Sequence, residues 1–314
     1  MATQHKILIT DGLDDTGQAI LRAAADVDDC NNISADDLLK AVPEYDALIV
    51  RGRTKVTAPV FQAASRLKVV GRAGVGVDNI DLAAAKAKGV AVVNAPVSTT
   101  LAVAELTFGL MLALAREIPR ADSSMKQGGW LKKDLEGIEL NGKTLGIIGI
   151  GNIGKELGKR ALAFGMNVVA YDPFVSEDQV KARGAEPVSL QDLYAWSDFI
   201  SLHLPLSVDT RDMVGAQAFS EMKDGVRIVC AARGGIIAEA ALLEALNSGK
   251  VAGAALDVFT AEPPGGTDLI RHPKVIATPH VGAQSAEAQS RAAVDISNEV
   301  LTALRGDELH WRVA

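Results

Sequence analysis

Cysteine is scarce: Cys30 and Cys230 are the two in the chain. They are too few and too isolated for a disulfide framework or a thiolate zinc cage, which points to a reducing compartment and to no metal. Positive charge is also in deficit. The 32 Lys and Arg are outnumbered by 39 Asp and Glu, leaving a net charge of −7. That balance excludes a non-specific nucleic-acid binder, which needs basic surface to displace phosphate counterions. Long apolar runs are missing as well. The best of them, Leu101–Ala115, carries Glu105 and falls short of the ~20 residues a membrane span needs. Met1–Lys6 leads straight into the apolar Ile7–Thr10, so no secretory leader is read there. A cytoplasmic protein with no membrane and no nucleic-acid partner is expected.

What is present is ample material for a core. The chain has 314 residues, 48% hydrophobic and 23% charged, the make-up of a globular protein of about two domains. Short Val- and Ile-rich runs alternate with helical patterns: Lys6–Thr10, Ala47–Val50, Lys68–Val70, Val90–Val93, Thr144–Gly149, Asn167–Tyr171, Phe199–His203, Val226–Ala231, Ala252–Phe259 and Val275–Thr278. Such runs, ending near Gly, Asp, Asn or Pro, are the mark of buried parallel strands. Helices are expected between them, as at Ser34–Ala41, Ile153–Ala163 and Glu239–Asn247. The pattern predicts an α/β protein of two doubly wound parallel-sheet domains. The long helical stretch Thr99–Arg116 and the connector Gln127–Gly137 break the alternation, and Gln284–Arg305 closes the chain as a helix. The expected division is residues 1–98 plus 284–314 in one discontinuous domain and 99–283 in the other.

Thr144-Leu-Gly-Ile-Ile-Gly149-Ile-Gly151-Asn152-Ile153-Gly154 reads as a strand entering a Gly-x-Gly-x-x-Gly turn and a helix. The three glycines serve a tight turn, close approach to a pyrophosphate and close helix–strand packing. The helix start offers free amides and the positive dipole end to phosphates. Asp172 closes the following strand, near the ~20-residue spacing at which a carboxylate reaches the adenosine ribose hydroxyls. It would repel a 2′-phosphate, and Pro173 and Phe174 supply no arginine to offset it. NAD is therefore the expected cofactor, rather than NADP.

In open parallel sheets ligands gather beyond the carboxyl ends of the strands. Three polar residues follow three such strands: Arg233, Glu262 and His280. Arg233 can grip a carboxylate with two parallel bonds and polarise the neighbouring carbonyl. His280 can exchange a proton near neutral pH, and an adjacent Glu262 would favour its protonated form. Together they suit hydride exchange with a 2-oxo acid, without a metal. His203 also ends a strand but is expected to be structural; His5, His272 and His310 are expected at the surface.

At these residues the chain resembles the D-isomer-specific 2-hydroxyacid dehydrogenases. The resemblance extends through Leu48–Thr57, Val70–Asn79, Ala104–Leu106, Ala254–Pro263 and Pro279–Ala283. It implies a Rossmann NAD domain and a flavodoxin-like substrate domain, closing over a small 2-hydroxy or 2-oxo acid in a homodimer whose interface is built by Thr99–Arg116. It implies that Arg233, Glu262 and His280 are catalytic, and that Asp257 meets the nicotinamide carboxamide. Asn152, Ile153 and Asp172 would hold pyrophosphate and adenosine, with Val75, Leu204, Pro205, Ala231 and Ala283 completing the cofactor set. Amides of Gly74, Val75 and Gly76 would receive the substrate carboxylate, and Arg51 with Gly52 would meet a distal phosphate. Within the family, the branch that oxidises 3-phosphoglycerate is the nearest in pattern, in the form without a C-terminal regulatory domain.

The sequence departs from that pattern at Cys230, Ala238, Thr99, Val75 and Leu204, where Asn, Asp, Asn, Thr and Thr are usual. The basic trio Arg51, Arg53 and Lys55 suits a phosphate. Thr99 keeps a second enzyme reading in view, reduction of glyoxylate, hydroxypyruvate or a branched 2-oxo acid. A third reading, of a different class, is a nucleotide-sensing binding protein akin to the family's corepressor branch.

Overall fold

Strand and helix alternate through residues 5–314, the part of the chain that the computed structural model describes. These residues fall into two units: the described part of Met1–Thr100 with Ala283–Ala314, and Leu101–Gly282.

In the first unit β1 (Lys6–Ile9), β2 (Asp26–Asp29), β3 (Ala47–Val50), β4 (Val69–Arg72) and β5 (Ala91–Asn94) form a parallel sheet ordered β2-β1-β3-β4-β5. Strands with neighbours on both sides bury both faces, so Ile7–Ile9 and Ala47–Val50 are buried throughout and read as unbroken apolar runs. One face packs on the helix Ala286–Arg305, whose Ile296 and Val300 share a core with Ile7, Ile49 and Val93. Gly17 admits that helix closely: a Cβ there would stand 2.6 Å from the Ala293 carbonyl. Leu38, Val60, Phe61 and Ala85 fill the core on the other face. Beyond β5 the chain end runs antiparallel, with Val313 N–H donating to the Val92 carbonyl at 2.7 Å, and this covers an edge that would otherwise expose unpaired amides.

In the second unit β6 (Thr144–Ile148), β7 (Asn167–Tyr171), β8 (Glu186–Pro187), β9 (Phe199–Leu202), β10 (Val226–Cys230), β11 (Val251–Leu256) and β12 (Val275–Ala277) form a parallel sheet ordered β12-β11-β10-β9-β6-β7-β8. The order reverses between β6 and β9, the switch point at which such sheets open a ligand crevice. The helix Thr100–Ala115 packs Phe108, Met111 and Leu114 against Leu145, Ile147 and Val229 of this unit. None of the described helices is long and apolar enough to cross a membrane.

Some elements differ from the sequence expectations. The polar strand β2 and the two-residue β8 were not foreseen, because edge strands pair on one side and need little apolar surface. The helix Ile118–Lys126, which buries none of its residues, was not foreseen either. The run expected at Lys68–Val70 is shifted to Val69–Arg72. His5 and His272 are half-buried rather than at the open surface. His5 Nδ1 lies 3.9 Å from Asp46, and His272 Nδ1 accepts from the Lys274 amide at 3.2 Å.

Candidate active site

The glycine turn lies at the switch point, between β6 and the helix Asn152–Ala163. Gly149 has φ +91°, and a Cβ on it would approach the His203 carbonyl to 2.5 Å. A Cβ on Gly154 would strike the Gly149 carbonyl, so that position needs glycine for packing. Gly151 differs: nothing lies within 4 Å of its missing Cβ. It also begins the helix without a side-chain cap, leaving first-turn amides to an external anion. The turn is thus shaped by two glycines and left open by the third, as a dinucleotide pyrophosphate requires. Asp172 is half-buried, and its carboxylate accepts from Ile150 N–H and Phe174 N–H, each at 3.0 Å. Those bonds tie it to the turn and leave further lone pairs on each oxygen. Arg183, not singled out from sequence, donates to the Ile150 carbonyl; its distance along the chain gave no signal.

Leu204 and Pro205 follow β9, and Ala231 follows β10, at the same end of the sheet. His203 is held there with Nε2 2.9 Å from Ser201 Oγ, and burial pushes its pKa down to about 4. It is a neutral imidazole at physiological pH, in keeping with a structural place.

His280 and Glu262 meet: Nδ1 of His280 lies 2.7 Å from Oε2 of Glu262. The other Glu262 oxygen accepts from the Phe259 amide at 3.2 Å. The carboxylate therefore sets the orientation of the ring through Nδ1 and leaves Nε2 on its far side. Arg233 stands half-buried beyond β10, its Nη1 donating to the Ala232 carbonyl at 2.7 Å. A Cβ on Gly234 would collide with the Phe259 carbonyl, so the Arg233 turn and the strand end leading to Glu262 are pressed together. Cys230 is buried beneath, its thiol pushed up to about 11 by burial, and it stays protonated and inert. Ala238, where Asp is usual, caps the helix Glu239–Asn247 with no side-chain bond.

Asp257 is fully buried. Its carboxylate accepts from Thr278 Oγ1 at 2.6 Å and from the amides of Val281 and Gly282 at 2.8 Å each. These bonds brace a loop in which His280 takes a left-handed φ of +53°.

The first unit carries the substrate candidates. Gly74 has φ +141°, and Val75 accepts from Asn94 Nδ2 at 2.7 Å. Gly76 is half-buried in the same loop, Gly52 is exposed, and Thr99 is buried. Arg51 is half-buried, with Nη2 3.5 Å from Gln284 Oε1. Ala283 accepts from Gln289 Nε2 at 2.7 Å. The three members of the basic trio are differently engaged. Lys55 and Arg53 are both exposed, and Arg53 in addition pairs with Asp11 at 3.0 Å and donates to the Thr10 carbonyl at 2.7 Å. Among the described residues no cluster of His, Cys, Asp and Glu is arranged to hold a metal.

This architecture is that of a dinucleotide-binding domain with a histidine–glutamate pair at its strand ends. The model of the D-isomer specific 2-hydroxyacid dehydrogenase NAD binding domain matches residues 108–282, and the chain belongs to that family. It is 48% identical over 303 residues to D-3-phosphoglycerate dehydrogenase of Methanocaldococcus jannaschii, covering 96% of this chain and 58% of that protein. It is 47% identical over 307 residues to hydroxypyruvate reductase of Thermotoga maritima, covering 96% of this chain and 99% of that protein. The structure of a glyoxylate reductase from Paecilomyes thermophila superposes with a TM-score of 0.91 at 31% identity, over 100% of this chain and 99% of that one.

Proposed function

We propose that the protein is an NAD-dependent dehydrogenase that oxidises D-3-phosphoglycerate to 3-phosphohydroxypyruvate, at the entry to serine synthesis, and works as a cytoplasmic homodimer. The observation that carries the reading is the His280–Glu262 pair at 2.7 Å, at the same end of the sheet as the dinucleotide turn and Arg233. NAD bound at the Gly149–Gly154 turn and Asp172 supplies the hydride acceptor. His280 takes the hydroxyl proton at Nε2, while Glu262 accepts Nδ1–H and stabilises the imidazolium. Arg233 holds the carboxylate and favours charge on the reacting oxygen. In the reverse direction His280 returns the proton. Amides of Gly74, Val75 and Gly76 receive the substrate carboxylate, and Arg51 beside Gly52 meets the phosphate. The similarity to the M. jannaschii dehydrogenase supports this substrate.

A second reading is a reductase for hydroxypyruvate or glyoxylate. Two observations favour it: the T. maritima relative matches over 99% of its length, and Arg53 is engaged with Asp11.

Purified enzyme with NADH, assayed on phosphohydroxypyruvate, hydroxypyruvate, glyoxylate and 2-oxoisocaproate, separates the two. The phosphorylated substrate is expected to lead in kcat/KM by about tenfold or more, about 1.4 kcal/mol of transition-state discrimination. Arg51→Ala is expected to remove that lead. An unphosphorylated substrate in front overturns the proposed substrate and leaves the catalytic trio standing.

A further inference from the structure

Asp11 follows β1, and its side chain is 4% exposed. Five donors converge on it, the most distant being Thr10 Oγ1, 3.5 Å from Oδ1. Oδ2 accepts from the amides of Arg51 at 2.9 Å and Thr54 at 3.0 Å. Oδ1 accepts from Thr54 Oγ1 at 2.5 Å and faces Arg53 Nη2 at 3.0 Å. Burial alone would raise the pKa of this carboxyl, but the bonds from Thr54 and Arg51 and the charge of Arg53 hold it below the usual range. From the other side Asn79 Nδ2 donates to the carbonyls of Arg51 at 3.0 Å and Thr54 at 2.7 Å. Both polar groups of the Arg51 backbone are therefore pinned.

We propose that Asp11 is a positioning residue for phosphate recognition: it locks the backbone of Arg51 and holds Arg53 as a strut, so that Arg51 is presented to the substrate's phosphate and Arg53 is not. The inference rests on the reading of Arg51 as the phosphate-binding residue. Arg53 is held by Asp11, by the Thr10 carbonyl at 2.7 Å and by the Ile33 carbonyl at 3.4 Å. The Arg51 guanidinium has a bond to Gln284 of 3.5 Å, at the outer limit of a hydrogen bond, which a phosphate can readily replace. A fixed backbone under a long side chain lowers the ordering cost when the ligand binds.

Asp11→Asn tests this, because the amide keeps the shape but turns NH2 toward groups that donate. The ratio of kcat/KM for phosphohydroxypyruvate to that for hydroxypyruvate is expected to fall tenfold or more, through KM of the phosphorylated substrate. An equal fall on both substrates overturns the proposal. Should that variant not fold, Arg53→Gln is expected to lower the same ratio about threefold, well short of Arg51→Ala. A loss as large as that of Arg51→Ala makes Arg53 a ligand and overturns the strut. Wild-type enzyme with no preference for the phosphorylated substrate would instead overturn the proposed function. The tether is then decided by hydrogen exchange at the amides of Arg51 and Thr54: a tenfold acceleration in the variant with Asp11 or Arg53 replaced supports it, and unchanged exchange overturns it.

Discussion

His203 shows how far surroundings can set a side chain's chemistry. Its Nε2 is bonded to Ser201, while Nδ1 is enclosed with no partner among the described residues, and burial lowers the pKa from 6.5 to about 4. The unfolded chain takes up this proton near 6.5 and the folded protein near 4, so in that window the unfolded state binds more protons. Stability therefore rises with pH. The contribution is complete above 6.5 and fades toward 4, amounting to about 3 kcal/mol at most. The urea midpoint is expected to be lower at pH 5 than at pH 7.5, and His203→Gln to shrink that difference. A variant that loses as much stability between the two pH values as wild type would refute the burial argument. The sequence showed a histidine before Pro205 but nothing of the Ser201 bond or of the closed space around Nδ1. Arg53 makes the same point: local spacing grouped it with Arg51 and Lys55, and only the partner 42 residues earlier in the chain, Asp11, turned it aside.

At the scale of the element, the glycine turn separates two duties that the motif presents together. Gly154→Ala would drive a methyl group into the Gly149 carbonyl, whereas Gly151→Ala meets nothing in the protein. The Gly154 variant is expected to lose about 1–3 kcal/mol of stability together with NADH binding. The Gly151 variant is expected to keep its Tm and lose NADH affinity. Thermal melts of the unliganded variants and fluorescence titration with NADH distinguish the outcomes; equal melting losses would mean that Gly151 also packs inside. The strand–turn–helix pattern was legible because each part follows from nearby residues. The strand Asp26–Asp29 was not, since one neighbour and the burial of Val27 suffice for it. The helix Ile118–Lys126 leaves Ile118 52% and Met125 55% exposed, and its few spaced apolar residues, Ile118, Ala121 and Met125, were too sparse to announce it.

For the whole molecule, those exposed side chains and Trp130, 74% exposed, are candidates for apolar surface that the proposed homodimer would cover, beside the Thr99–Arg116 helix that the family resemblance implies. Trp130→Glu is expected to shift the mass measured by light scattering from dimer toward monomer, with the fold retained by circular dichroism. A monomeric wild type, or a dimer indifferent to the change, would remove this surface from the assembly. Fold class and cofactor type were readable along the chain, because strand periodicity, the glycine turn and the acid at 172 are short-range features governed by backbone sterics and hydrogen-bonding geometry. The strand order, the 2.7 Å geometry of the Glu262–His280 pair that the strand-end positions already suggested, the bracing of the His280 loop by Asp257 and the hold of Asp11 on the Arg51 backbone were decided by folding. Each joins groups far apart in sequence, and their relative positions follow from sheet pairing and core packing rather than from any local rule.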